Sequence, residues 1–464
     1  MTLPDSLSPT RTLWRLCLML CVMAMALQPV ASHANVLADR LEFGMYGRMG
    51  LSWTPTSGRF VQGKTFNLTG SSIGGRLEEG DYLEPTLKVH LLERNPDPAA
   101  PYVDMVITPA MYAANGLFAG VFSTGFSDSI SIQLFQMYME TGNIGLPGLR
   151  VWGGERFYRG TDVHIADIFY FNNLSGQGGG VMYGPLDLAI ILQTNLTSAQ
   201  YNADTNGDGK LDTRRQRTVL IAQYVQKAES GHSLHGLAEL HLLPATTARQ
   251  ADGAVLGLNS DLGWVLGVKG HLDLGNGSFN DISIRYGSRA ASGSRAGAQT
   301  WASFGAPNAE GRYDEAAGIQ FVEHFLYNFG PLFSLNAYGI VHSNMGLKSV
   351  AADGTEVKDS SLDFAVGARG ALYLHDNFHL LAEASYQGLK TEGSKLGAAT
   401  KVSIIPTFVP LGGRSLWSRP HFRAFYTIAF YNQVAVDGLL SPYLQTVGAK
   451  KVGHYLGTRV EWWF

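Results

Sequence analysis

The segment from Ser415 to Asn432 combines side chains that ordinarily need different surroundings. Its sequence, SLWSRPHFRAFYTIAFYN, carries aromatic rings at short intervals, with Arg419, His421 and Arg423 among them. Aromatic rings bury large apolar surfaces, whereas guanidinium and imidazole groups exchange hydrogen bonds with polar partners. A single segment that carries both sets predicts contact with two solvents, one apolar and one aqueous.

A second group of candidate ligands lies in DTNGDGKLD, from Asp204 to Asp212. Asp204, Asn206, Asp208 and Asp212 match ligand positions in the first nine residues of a calcium-binding loop. Position twelve holds Arg215, where such a loop has a bidentate Glu. An ordinary Asx-rich hairpin loop explains the residues equally well, so calcium is the one cofactor that the sequence leaves open.

The sequence carries no recognisable catalytic signature. No Ser-His-Asp arrangement or carboxylate pair stands out for hydrolysis. The run Gly176–Gly180 lacks the Lys and Ser or Thr that complete a phosphate loop. His232, His235 and His241 are scattered over a strand and loop pattern, which favours ordinary polar positions over a metal site. The prediction is a protein that is not an enzyme.

Alternating side chains indicate which elements position these residues. Successive side chains of a strand point to opposite faces. The even positions from Phe422 to Phe430 are all apolar, whereas the odd ones include His421 and Arg423. Similar alternation recurs in residues 41–53, 84–91, 279–286, 333–342 and 455–464. Each such strand has one face suited to hydrocarbon and one suited to water.

Soluble sandwiches also contain amphipathic strands, so connection lengths must separate the two fold classes. Gly275–Gly277 and His375–Asn377 predict tight turns, whereas Gly287–Arg312 predicts a long polar loop. Short turns at one end and long loops at the other are typical of outer-membrane barrels. Aromatic residues at strand ends, such as Trp53 and Trp462, suit an interfacial girdle. The predicted fold is all-β, a transmembrane antiparallel β-barrel of about 18 strands.

The N-terminus predicts an exported protein. Arg11 and Arg15 precede the apolar run LCLMLCVMAMAL, and cleavage is expected after Ala34. Both cysteines, Cys17 and Cys21, belong to this signal peptide, residues 1–34, so the mature chain has no disulfide or thiolate site. Beyond it, no uncharged apolar run approaches the roughly 20 residues of a spanning helix.

Composition and charge agree with one exported domain. Charged residues make up only 16% of the 464 residues, and the formal net charge is -3. Nothing in this balance suggests nucleic acid as a partner. Residues 35–464 contain no Pro-rich or Ser-rich linker, so we expect a single barrel domain.

Several motifs resemble the maltoporins, the LamB-type carbohydrate porins of Gram-negative outer membranes. VWGGERFYRGTDVHIADIFYF, from Val151 to Phe171, resembles the segment that enters their inward-folded constriction loop, and SGQGGG follows it. SLWSRP at 415–420 and VEWWF at 460–464 resemble two C-terminal motifs, and FGMYGRMGLSW resembles the first strand. The likeness is patchy between residues 185 and 400.

The resemblance implies an 18-stranded porin that assembles as a homotrimer in outer-membrane lipid and passes sugars passively. In that family sugars stack on a row of aromatic residues, the greasy slide. The matching positions here are Tyr46, Tyr82, Phe279, Trp417 and Trp463. A two-residue gap leaves open whether Tyr82 or Glu84 takes one of them.

The resemblance also implies a polar track beside the slide and around the constriction. Its positions here are Arg48, Arg76, Gln133, His164, Asp167 and Phe169. Gln133 and Gly160 replace two arginines of the family, and Phe169 replaces the tyrosine that narrows the channel centre. Because these departures fall at the constriction, the preferred sugar does not follow from the resemblance.

Sugar passage has a simple physical basis. The C–H face of a sugar ring is apolar, and stacking on an aromatic ring contributes about 25 cal/mol per Å² of apolar area buried. Charged groups at the ring edge each contribute roughly 1.5–3 kcal/mol of hydrogen bonding at best. A row of weak sites allows a solute to advance and leave. The alternatives are a general diffusion porin and a secreted β-sandwich glycan-binding protein.

Overall fold

The computed structural model describes residues 39–464, apart from residues 56–58, 61–62, 69–72, 93–94, 114–120, 123–128, 194–201, 204–212, 250–254, 296–299 and 351–354. The predicted signal peptide and the candidate calcium positions from Asp204 to Asp212 lie outside the described residues. Both stay predictions.

Eighteen long antiparallel strands follow one another along the described chain. They are β1 Leu41–Thr54, β2 Tyr82–His90, β3 Tyr102–Ala113, β4 Ser129–Gly142, β5 Arg150–Arg159, β6 Asn173–Tyr183, β7 Leu186–Gln193, β8 Arg217–Lys227, β9 Ser233–Leu243, β10 Asp261–Gly275, β11 Ser278–Arg289, β12 Ala317–Phe329, β13 Phe333–Val350, β14 Glu356–His375, β15 Phe378–Thr391, β16 Gly397–Phe408, β17 His421–Tyr431 and β18 Val452–Trp463. β18 pairs with β1 from Tyr46 opposite Trp463 to Trp53 opposite Leu456, which closes the sheet into a barrel. The predicted fold class is confirmed.

The alternation in sequence becomes the inner and outer faces of the wall. On β17, Phe422 and Phe430 are exposed on the outside, whereas His421 and Arg423 are buried inside. On β1, Phe43 and Leu51 are more than half exposed on the outer face. An apolar exterior on a closed sheet, with no unpaired edge, is the form in which strands cross hydrocarbon.

At one end of the barrel the strands are joined by tight turns. Asn276 and Gly277 alone connect β10 to β11, and Asp376 and Asn377 alone connect β14 to β15. Asn276 has φ 52° and Gly277 has φ 69°. Asn-Gly is the preferred pair for a two-residue hairpin turn with positive φ at both positions.

At the other end, three long connections fold into the barrel. In each of the ranges 55–81, 160–172 and 290–316, some of the described residues have buried side chains. The long loop predicted at Gly287–Arg312 is present, but it runs from Ala290 to Ala316, and part of it is apolar and buried. β11 continues to Arg289, and Ala290, Ala291 and Phe304 are buried. A barrel of this width leaves a lumen that inward segments can fill.

Two short helices, α1 Gln433–Asp437 and α2 Pro442–Val447, connect β17 to β18. The Ser441 side chain accepts a hydrogen bond from the Leu444 amide and so caps α2. Tyr443 of α2 is buried 4.6 Å from the ring of Phe66. None of the described helices has the length and apolar character needed to cross a bilayer.

The apolar outer face predicts that a charged substitution there destabilises the protein. Val402 on β16 is 45% exposed on that face. We expect Val402→Arg to lower the free energy of unfolding by about 2–4 kcal/mol, the cost of a basic side chain near the bilayer midplane. Denaturant titration of the protein folded into phospholipid vesicles measures this, with Val402→Leu as the control. Equal stability of the two variants would contradict a hydrocarbon-facing exterior.

Candidate functional site

Four aromatic side chains form a continuous row on the inner wall where the first and last strands meet. Tyr82 on β2, Tyr46 on β1, Trp463 on β18 and Trp417 follow one another, and we call them the aromatic row. Ring centroids are 5.9 Å apart for Tyr82 and Tyr46, 6.5 Å for Tyr46 and Trp463, and 6.5 Å for Trp463 and Trp417. Tyr46 and Trp463 are paired directly across the β1–β18 ladder, so their rings project from the same face.

Trp417 reaches the row from a connection and not from a strand. Trp417 shares the parity of His421 and Arg423, so alternation predicts that it lies on the lumen face of the same strand, but β17 begins only at His421. Its backbone amide donates to Ser415 Oγ at 3.1 Å, and Arg419 Nη1 donates to the Leu416 carbonyl at 2.8 Å. The prediction that Trp417 lies on a strand is therefore wrong, and alternation does not explain its position, because side chains alternate between faces only within a strand.

Charged side chains beside the row join two of the inward connections. Arg76 Nη1 lies 2.6 Å from Asp167 Oδ1, and Arg76 Nε lies 3.0 Å from Glu79 Oε2. Arg48 on β1 adds pairs with Glu79 at 3.1 Å and with Asp167 at 3.5 Å. Arg76 and Glu79 belong to residues 55–81, and Asp167 belongs to residues 160–172, which we call the constriction loop. Glu79 was not among the predicted residues, since a loop carries no parity signal.

His164 of the constriction loop lies edge-on to two rings of the aromatic row, those of Trp463 and Trp417. Its ring centroid is 5.3 Å from that of Trp463 and 6.1 Å from that of Trp417. His164 Nδ1 lies 3.6 Å from Asp162 Oδ2, and Nε2 lies 3.2 Å from Glu461 Oε1. The loop is therefore tied to the wall next to two rings of the row.

These side chains line one cavity of about 560 Å³. The predicted site residues among its lining are Tyr46, Tyr82, Trp417, Trp463, Arg48, Arg76, His164, Asp167 and Phe169. Glu84 lines the cavity together with Tyr82, whose hydroxyl donates to it. Arg159 and Asp162 also line it, and neither was singled out from the sequence.

Two predicted site residues lie elsewhere. Phe279 on β11 faces the barrel interior between His271 and His324, with centroid distances of 5.9 and 5.1 Å. Gln133 on β4 donates to the Tyr112 hydroxyl at 2.6 Å. The structure does not bring either residue to the cavity.

A larger depression of about 800 Å³ lies on the outer wall. Exposed Val151, Val181, Leu188 and Ile190 border it. Because this face of the barrel is the one suited to hydrocarbon, a dissolved solute cannot reach it. The inner cavity is therefore the candidate site.

Two carboxyl groups of the constriction loop differ in acidity. Burial raises the pKa of Asp167 to about 7, against the opposing attraction of Arg76. Burial also acts on Asp162, but the hydrogen bond and charge of His164 outweigh it and lower the pKa of that carboxyl. Asp162 is thus ionised at neutral pH, whereas Asp167 changes its charge there.

Several solved outer-membrane proteins match this chain over most of its length. OmpT of Vibrio cholerae, in its trimer form, is 10% identical over 91% of this chain and 99% of its own, with a TM-score of 0.41. OccK9 (OpdG) of Pseudomonas aeruginosa is 9% identical over 92% and 99%, with a TM-score of 0.45. Wzi of Escherichia coli, a carbohydrate-binding β-barrel involved in group 1 capsule assembly, is 9% identical over 92% and 86%, with a TM-score of 0.41. Values this low carry no information on the function of this chain.

A family model matches nearly the whole chain. The model of the LamB porin matches residues 41–464, from the first residue of β1 to the C-terminal Phe464. The match spans every strand of the barrel and the constriction loop, and it agrees with the resemblance found in the sequence motifs. The protein is an outer-membrane channel, and the chain belongs to the LamB porin family.

Proposed function

We propose that this porin passes sugars by facilitated diffusion and that the sugar rings stack on the aromatic row. The continuity of the row carries the proposal, because neighbouring rings lie within 5.9–6.5 Å of each other along one cavity. A sugar that stacks on one ring loses water from its apolar face. The next ring is close enough to take it over without full release into water.

Charged groups along the same cavity suit the hydroxyl groups of the sugar. Arg48, Arg76 and Arg159 supply donors, and Glu84 and Asp167 are among the carboxyl groups that supply acceptors. Charged hydrogen bonds are stronger than neutral ones, yet each replaces a bond to water, so no single contact traps the solute. Passage on this route needs no bond making or breaking.

Titration of single channels with maltooligosaccharide tests the role of the row. We expect a conductance that falls saturably with sugar concentration. Trp417→Ala removes a platform that is 39% exposed, and we expect the sugar affinity to fall about tenfold, since a stacked ring contributes about 1–2 kcal/mol. Planar bilayers with the purified protein measure both quantities.

Trp264→Ala is the matched control for this experiment. Trp264 is exposed to a similar extent, 38%, but lies on the outer face of β10 beside Tyr286. Its removal should leave the block by sugar unchanged. A wild-type current that sugar does not reduce would indicate a general diffusion porin, and equal effects of the two substitutions would remove the proposed role of Trp417.

The acidity of Asp167 predicts a pH-dependent ion selectivity. As pH rises through about 7, Asp167 loses its proton and adds one negative charge beside Arg48 and Arg76. The preference of the channel for cations should therefore increase between about pH 6 and 8. Reversal potentials in a salt gradient measure this, with Asp167→Asn as the control. A shift of the same size in that variant would assign the titration to another group.

We extend the proposal to a homotrimer, as the family resemblance implies. Electrophoresis without heating and mass measurement in detergent should both give three times the mass of the chain. A particle with the mass of one chain that still shows the sugar block would separate transport from assembly and overturn this part of the proposal.

A further inference from the structure

Glu461 on β18 is a buried carboxylate directly behind the aromatic row. Only 3% of its surface is exposed, and it does not belong to the cavity lining. Four groups converge on it. They are Arg423 Nη2 at 2.7 Å, Arg419 Nη2 at 2.9 Å, Tyr46 Oη at 3.2 Å and His164 Nε2 at 3.2 Å. These partners come from β17, the β16–β17 connection, β1 and the constriction loop.

The two oxygens of Glu461 divide these partners into two sets. Oε2 accepts from Arg419 and Arg423, the two guanidinium groups that neutralise the carboxylate. Oε1 faces the Tyr46 hydroxyl and His164 Nε2, both of which belong to cavity-lining residues. A buried carboxylate is stable only when its charge is paired and its oxygens accept hydrogen bonds. In Glu461 the arginines at Oε2 pair the charge, and the partners of Oε1 complete the hydrogen bonding.

Each cavity-side partner of Glu461 also contacts the aromatic row. Tyr46 is a member of the row, and His164 is edge-on to Trp463 and Trp417. On the other side of the carboxylate, the guanidinium of Arg419 also reaches the row, because it lies over the Trp463 ring, 3.6 Å from its centroid. Glu461 therefore fixes the Tyr46 hydroxyl, the His164 imidazole and the Arg419 guanidinium. These three groups together set the positions of the rings of Tyr46, Trp463 and Trp417. Through His164 it also ties the constriction loop to the wall.

We infer that Glu461 is the positioning residue of this channel. It holds the constriction loop against the aromatic row and so sets how long a sugar stays stacked, without touching the sugar. This inference rests on the proposed function, but the tie between loop and wall is also measurable in the absence of sugar.

Glu461→Gln separates the two sides of the carboxylate. The amide oxygen can still accept from the arginines, but the amide nitrogen cannot accept from Tyr46 or His164. We expect sugar to leave at least about tenfold faster, with a smaller change in the rate of entry. The factor corresponds to the loss of one hydrogen bond to a charged group. The open-channel current without sugar should become noisier, because the constriction loop loses its tie to the wall beside the aromatic row.

Glu383→Gln is the matched control. Glu383 on β15 is 6% exposed and accepts from Arg369 Nη2 at 2.7 Å and Nε at 2.9 Å. Its substitution also removes the charge of a buried carboxylate on the inner wall. It should change neither the exit rate of sugar nor the current noise by more than about twofold.

Tyr46→Phe provides a second route if Glu461→Gln does not assemble. It keeps the ring in the row but removes the hydroxyl that reaches Glu461, and it should also speed the exit of sugar. Equal effects of the two Glu-to-Gln variants, or unchanged noise and exit rate in Glu461→Gln, would overturn the inference. If sugar does not block the wild-type channel, the proposed function fails, while the noise of the sugar-free current still decides whether Glu461 holds the loop.

Discussion

The pairing of β18 with β1 is the interaction on which the rest of this structure depends. In hydrocarbon, an unpaired strand edge leaves backbone amide and carbonyl groups without partners, each at a cost of several kcal/mol. The ladder from Tyr46–Trp463 to Trp53–Leu456 removes that edge. The same ladder places Arg48 opposite Glu461 and Tyr46 opposite Trp463 on the inner face. The seam that closes the barrel is thus also the wall that carries the candidate site.

Closure of the wall leaves the interior to be organised by the connections. Residues 55–81 are held to the wall by contacts such as the pair of Lys401 with Glu78 at 2.8 Å and the hydrogen bond from the Tyr431 hydroxyl to the Phe66 carbonyl at 2.8 Å. The constriction loop is fixed on the other side by the hydrogen bond from the Phe171 amide to Gln320 Oε1 at 2.9 Å. Between these anchored segments lies the cavity of the aromatic row. Its charges are mostly paired, which keeps the lining ordered while leaving donors and acceptors for a polar solute.

Alternation predicts the direction of side chains on strands and says nothing of side chains on connections, so Arg76, His164 and Asp167 were predicted from the family resemblance alone. Alternation along β1 and β18 predicts that Tyr46 and Trp463 lie on the inner face, and the structure has both rings there. Glu79 and Asp162 went unnoticed because an irregular segment has no period from which a direction can be inferred. Phe279 shows a further limit, since parity correctly assigns it to the inner face but does not state which part of the lumen it faces.

The sequence by itself determined the class of fold, the two faces of the wall and the tight turns, because all three depend on neighbours within a few residues along the chain. Only the tertiary structure decided which inward side chains share a cavity. Trp417 joins Trp463 from a connection, and Arg76 meets Asp167 from a different connection. Such contacts arise when the barrel closes and long segments fold into it. They join residues far apart in sequence, so the local pattern around each residue does not predict them.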